Sequence, residues 1–297
     1  MLSSLQSEKK RRELNEKLIK YTLILAAAIS ILTTFGILFS ILFEAIEFFQ
    51  LRSFWYFLTG TIWSPGVANS QFGALPIFAG TFVITIIALL VAIPIGLGSA
   101  IYMSEYASPK FRDYLKPILE ILAGIPTVVY GFFAAITVAP LVVKAAAFFG
   151  LEATFNSALA SGIVMGIMII PLISSLSDDV IRAVPDSQRK AAFALGMTHG
   201  ETIKNIVIPS AMPGIISASL LALSSALGET MIVVMAAGLR PNLSWNPLED
   251  MTTVTVTIVN SLVGDFEFNS PETLSAFALG LVLFIVTLIL NMISLSL

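Results

Sequence analysis

Six stretches of the sequence run almost free of charged side chains: Tyr21–Phe43, Pro76–Met103, Ile121–Val143, Ala153–Ser177, Pro213–Gly238 and Thr273–Leu297. Each exceeds the ~18 apolar residues that a helix needs to cross a bilayer. Only the fifth holds an ionisable group, Glu229. Charged residues make up 12% of the chain, about half the share found in soluble domains, too few to clothe its 297 residues in polar surface. The sequence therefore predicts an all-α integral membrane protein with six spanning helices. The first stretch is too long for a signal-peptide core and no small-x-small cleavage site follows it, so it is read as a retained anchor.

Orientation follows from the basic residues. With the N-terminus inside, the inner segments 1–20, 104–117 and 178–212 hold thirteen of the sixteen Lys and Arg; only Arg52, Lys144 and Arg240 fall outside. That bias predicts N-in, C-in topology. The chain then divides into a charged cytoplasmic lead-in (1–20, expected to be helical and to lie at the membrane surface), a first crossing (21–46), an outer loop (47–75) and a five-helix core (76–297) containing a cytoplasmic loop at 178–212. Trp55, Tyr56 and Trp63 in the first outer loop suit the membrane interface. The last outer loop, 239–272, carries Glu249, Asp250, Asp265, Glu267 and Glu272 and reads as a solvated acidic face. Crossings two to five are rich in Gly and Pro, which suits close helix approach and kinked helices that open and close.

The loop 178–212 contains RKAAFALGMTHGETIKNIVIPSAMPG, residues 189–214, a polar insert in an oily chain. Pro185-Asp186 offers a helix start with Asp186 as N-cap, and Gly196 stands where a left-handed C-cap is favoured. Thr198, His199, Gly200 and Glu201 fit a capping box. The second short helix is expected to end at Ile208, before Pro209, with Ile203, Ile206 and Val207 on one apolar stripe. Helix, glycine turn and helix together present a knob to something outside the membrane.

The spacing Lys190-Ala191-Ala192, two residues, Leu195-Gly196, nine residues, Ile206-Val207-Ile208-Pro209 resembles the signature of ABC importer permeases, Glu-Ala-Ala, Leu-Gly and Ile-x-Leu-Pro at the same intervals. Lys190 replaces the Glu and Ile208 the Leu. Residues 72–133 and LGETMIVVMAAG, 227–238, are similar to phosphate importer permeases, and the long lead and first outer loop favour the PstC type. The resemblance implies the MetI-like, type I permease fold in a bacterial or archaeal-type plasma membrane. It implies a heterodimer with a second permease, two copies of an ATPase subunit and an extracytoplasmic phosphate-binding protein. The loop would be a coupling helix docked on the ATPase: Gly196 allows close approach, Ala191 and Ala192 pack without bulk, and Leu195, Met197, Thr198, His199, Glu201, Ile206 and Pro209 complete the surface.

No Gly-x-x-x-x-Gly-Lys-Ser/Thr occurs in the chain, so a P-loop for ATP must come from another subunit. ATP and Mg accordingly belong to the partner ATPase, and this chain is expected to bind no cofactor, to be no enzyme, and to meet lipid but no nucleic acid. There is no Cys and one His, His199, which excludes Cys-based and paired-His metal sites; His199 reads as a surface contact to the ATPase. Glu229 is costly inside a membrane and is assigned to the pathway or a gate; the family's arginine one turn earlier is here Ser225. Thr127, Tyr130, Ser224, Ser225 and Thr230 are candidate pathway hydroxyls, since weak contacts suit a conduit. Two alternatives stand beside phosphate import: an ABC permease for another oxyanion, and a proton-coupled secondary transporter using Glu229.

Overall fold

A computed structural model describes residues 2–66, 69–263 and 269–296, with the side chains of 2–11, 13 and 14 left aside. Six of its helices are long and apolar enough to cross a membrane: Asn15–Leu51, Leu75–Tyr106, Thr127–Phe148, Ala158–Ala183, His199–Leu227 and Pro271–Ser296.

Helix α1 (Leu2–Leu51) carries the charged lead-in and the first crossing as one rod. The lead-in is helical as expected and runs straight into the crossing, because no Gly or Pro interrupts the chain before Gly36. Among its described side chains only Ala45 and Phe48, in the last turns, are buried, against the C-terminal helix. Helix α2 (Phe54–Thr59) and a two-stranded antiparallel hairpin, β1 (Trp63–Ser64) with β2 (Gln71–Phe72), follow; Trp63 pairs with Phe72. Trp63 was expected at the interface with Trp55 and Tyr56. Trp55 and Tyr56 are exposed, but Trp63 is 9% exposed, locked edge-on to Phe72 at 5.7 Å. Phe48 meets Phe57 and Phe72 in the same way at 5.4 and 5.5 Å, so edge-to-face aromatic packing closes this end of the bundle.

The centre is the pair α3 (Leu75–Ile101) and α7 (Ala158–Ala183), packed along their length. Gly162 and Gly166, one turn apart on α7, lie directly on Ile87 and on Ala88 and Val91 of α3, the close approach that small residues permit between membrane helices. Between them in sequence lie α4 (Pro109–Ala123), α5 (Thr127–Phe133) and α6 (Ala139–Phe148). The third crossing was expected at 121–143. It runs instead over Thr127–Phe148, because Gly124-Ile125-Pro126 breaks the chain and leaves α4 as a separate amphipathic helix with no buried residue. Lys144 therefore falls within that crossing, four residues before its end at Phe148.

After α7 come α8 (Asp186–Ala194) and α9 (His199–Thr202), then α10 (Ile208–Leu227), α11 (Met231–Ala236), α12 (Val254–Val263) and α13 (Pro271–Ser296). Two expectations about the fifth crossing change. Pro209 does not stop the second short helix: Ile203–Val207 widens into a π turn, with Ile208 N–H bonding Ile203 O, which accommodates the proline ring and its missing donor. At the other end the rod stops at Leu227 rather than Gly238.

The loop 239–272 is not a simple solvated acidic face. Met251, Thr252 and Thr253 are buried, and α12 buries Val254, Val256 and Thr257. Thr81 of α3 accepts Val254 N–H at 3.0 Å and donates to Ile77 O at 2.8 Å. Glu249 is half-buried, and hydrogen bonds from Asn242, Ser244 and Asn246 hold its carboxyl below the usual range. Asp265 and Glu267 lie outside the described residues. Gly80 sets the fit of this segment, since a Cβ there would fall inside the Thr252 carbonyl oxygen. Gly80→Ala should cost about 3 kcal/mol or more, the upper end of overpacking, read as a lower melting temperature and poorer yield in detergent.

Candidate coupling surface and the paired helix breaks

Helix α7 ends at Ala183 and the chain turns through Val184 and Pro185 into α8. Pro185, not Asp186, occupies the N-cap, and no side chain caps this end; Asp186 instead approaches Arg189 Nη1 at 3.5 Å. At the other end Gly196 has φ +83°. Its N–H bonds Phe193 O at 3.0 Å, and Met197 N–H bonds Ala192 O at 3.2 Å, the paired closure of a Schellman cap. Thr198 then starts α9 with the expected capping box: its N–H bonds Glu201 Oε2 at 2.8 Å, and Glu201 N–H bonds its Oγ1 at 3.4 Å. Two caps placed back to back close the turn between α8 and α9.

The knob so made is apolar at its tip. Phe193 is 45% and Leu195 84% exposed, while Ala192 is buried and Lys190 is exposed with no ion pair among the described residues. Beside it lies a groove of about 530 Å³, lined by Ala191, Leu195, Met197, Ile206 and Pro209 among others. Of the expected stripe, Ile203 and Val207 point into the core and Ile206 lines the groove. His199 is engaged within the chain: Nε2 lies 3.1 Å from Glu105 O, and the ring stands edge-on to Tyr106 and stacks on Phe193. Among the described residues no three His, Cys, Asp or Glu cluster as metal ligands would.

Sequence reasoning missed the ion pairs beneath the knob. Arg189 Nη2 meets Glu105 Oε1 at 2.8 Å, with side chains 16% and 6% exposed. Arg112 meets Asp178 at 2.6 Å and Lys116 meets Asp179 at 3.0 Å, clamping α4 to the end of α7. The partners lie 63 to 84 residues apart, so no local pattern announces them.

The other candidate residues sit at two breaks. Gly228, Glu229 and Thr230 separate α10 from α11. Glu229 is therefore not inside a helix but at the start of one: Oε1 accepts the N–H groups of Met231 and Ile232 at 3.0 and 3.2 Å, and its carbonyl accepts Thr255 Oγ1 at 2.8 Å. The first-turn donors of α11 supply the partner that an arginine at position 225 would otherwise provide; Ser225 is exposed and Ser224 half-buried. The second break, 124–126, is bridged by Tyr130, whose hydroxyl donates to Leu122 O at 2.9 Å. Helices α5 and α11 pack together, Gly131 lying on Met231 and Ile232. The fold thus packs Tyr130 of α5 in one cluster with Ile232 and Val233 of the helix that Glu229 and Thr230 precede, and leaves Ser224 and Ser225 on α10.

Residues 92–297 match the family model for the binding-protein-dependent transport system inner membrane component. The chain belongs to that family. It is 34% identical over 287 residues, 89% of this chain and 84% of the relative, to the phosphate transport system permease protein PstC of Mesorhizobium japonicum. It is 35% identical over 231 residues, 78% and 73% of the two chains, to the probable ABC transporter permease protein YqgH of Bacillus subtilis. Among solved structures, a chain of a bacterial alginate ABC transporter aligns with TM-score 0.64 at 14% identity, covering 95% of this chain and 94% of that one. A chain of the MetNI methionine ABC transporter aligns at 0.51 and 15%, covering 74% and 90%. These likenesses show the fold, that of a MetI-like permease. Six apolar crossings and membership of this family make the chain a multi-pass inner-membrane protein.

Proposed function

We propose that the chain is the channel subunit of an ATP-driven importer of inorganic phosphate, coupled through α8 and α9 to a separate ATPase. The observation that carries this reading is mechanical. The rod from His199 to Leu227 is 29 residues long, about 44 Å at 1.5 Å per residue. It starts in the capped knob and ends at the Glu229 break. A push on the knob is delivered, without an intervening loop, to the point where α11 begins and meets α5. The basic inner segments put the knob in the cytoplasm, where an ATPase finds ATP and Mg; a second permease would complete the conduit, and a binding protein outside would deliver the anion. The similarity to a relative named as a phosphate transport permease supports phosphate as the cargo. The chain guides it with hydroxyls and backbone N–H groups at the two breaks, Thr127, Tyr130 and Thr230 beside Glu229, and Ser224 and Ser225 on the approach.

The test is ATP hydrolysis by the detergent-purified complex with and without its binding protein. Stimulation by phosphate-loaded but not sulfate-loaded protein is expected. Stable ATPase attachment with stimulation by sulfate would reassign the cargo to another oxyanion. Purification without any ATPase, with uptake that collapses with the proton gradient, would overturn the reading in favour of a secondary transporter.

A further inference from the structure

Arg189 closes three segments at one guanidinium. Nη2 donates to Glu105 Oε1 at 2.8 Å and to Ile181 O at 3.0 Å; Nη1 donates to Val184 O and faces Asp186. Ile181 and Val184 carry carbonyls at the C-terminal end of α7, that of Ile181 also accepting Val184 N–H at 3.3 Å, and Glu105 belongs to the π turn Tyr102–Tyr106 that ends the second crossing. From the other side His199, at the start of α9, holds the Glu105 carbonyl and packs on Tyr106. Glu105 is thus gripped by its side chain from α8 and by its backbone from α9. A planar guanidinium with five fixed donors suits such a joint better than a flexible ammonium.

The other connections of α8 are weaker levers. It joins α7 through the extended Val184-Pro185 and joins α9 through the Gly196 turn, and either can bend. The second crossing, in contrast, is one helical run from Leu75 to Tyr106, unbroken through Pro94 and the closing π turn. At its far end Gly80 and Thr81 hold residues 252–254, on the opposite side of the bundle. We propose that the Glu105–Arg189 joint makes α3 the line by which events at the outer face reach the coupling helix, so that stimulation of the ATPase by docked binding protein passes through this pair. The proposal rests on the importer reading, and Arg189 and Glu105 are positioning residues that touch neither cargo nor nucleotide.

Glu105→Gln and Arg189→Met complexes should retain the ATPase subunit on purification, yet show stimulation by loaded binding protein reduced at least tenfold and more ATP consumed per phosphate imported. Lys116→Gln, which breaks the exposed pair with Asp179, should leave stimulation as in the wild type. The chain has no cysteine, so a Glu105→Cys/Arg189→Cys double variant, in partners likewise freed of cysteine, offers one site for a short bifunctional thiol reagent. Bridging should restore stimulation that the unbridged variant lacks, and this arm carries the test should a single variant fail to assemble. Wild-type stimulation in both single variants, or a bridge that restores nothing, would overturn the proposal. A wild-type complex without any attached ATPase would overturn the importer reading itself, and the joint's role with it.

Discussion

Replacing Gly196 by tryptophan should abolish phosphate uptake while leaving the membrane bundle folded. Two separate quantities support this. Gly196 has φ +83°, so any side chain there carries left-handed strain, on the order of 1–2 kcal/mol. A Cβ at this position meets nothing within 4 Å, so the indole stands in solvent between Leu195 and Met197 and no core contact is lost. Folding therefore loses little. Docking loses far more, because the ring covers the apolar tip and the groove beside it. Blocking the centre of an interface costs 2 kcal/mol or more, and ~2.7 kcal/mol corresponds to a hundredfold. The expected result is uptake lower by on the order of a hundredfold, with the ATPase subunit missing from the purified complex. Gly196→Ala carries the strain without the bulk and should lose only several-fold. Normal uptake by the tryptophan variant would sink the docking assignment.

What could be read from the sequence divides by range. The caps at Gly196 and at Thr198 and Glu201 were legible because their bonds span three to five residues, and Gly, Thr and Glu at those spacings have few other uses. The six crossings were legible because length and apolarity suffice to announce them. The breaks were not: a hydropathy run is the same sum whether its helix is one rod or two, so α10 and α11 merged into one expected crossing, and the end of α4 with the break at 124–126 was counted into the third. The buried run at Met251–Val254 was hidden by its acidic flank, and Trp63 by the habit of tryptophan to sit at interfaces. Glu105 and Asp178 were invisible for a different reason. Their partners are Arg189 and Arg112, which the sequence used only as topology signals, and nothing local distinguishes a loop arginine that is solvated from one that is buried.

Glu229 separates a role for charge from a role for shape. Its Oε1 accepts two first-turn N–H groups of α11, a six-residue helix that buries Ile232, Val233 and Ala236. Alanine would leave both donors open at membrane depth, at about 1–3 kcal/mol each. A loss of ~3 kcal/mol lowers the population of the intact break by on the order of a hundredfold. Glutamine keeps an oxygen at the same reach. It exchanges charge-assisted bonds for neutral ones of roughly half the strength, so its penalty is about 1 kcal/mol. Uptake should therefore fall about a hundredfold in Glu229→Ala and only about fivefold in Glu229→Gln, with no new pH dependence in the glutamine variant. Had Ser225 been the arginine of the family pattern, the carboxylate would have had a second partner and glutamine would strand a cation. In this chain the N–H groups of Met231 and Ile232 are the partners the structure provides, and an amide oxygen serves them. Equal loss in the two variants would show that the negative charge itself acts on the passing anion or on a proton, and would return Glu229 from capping the break to lining the path.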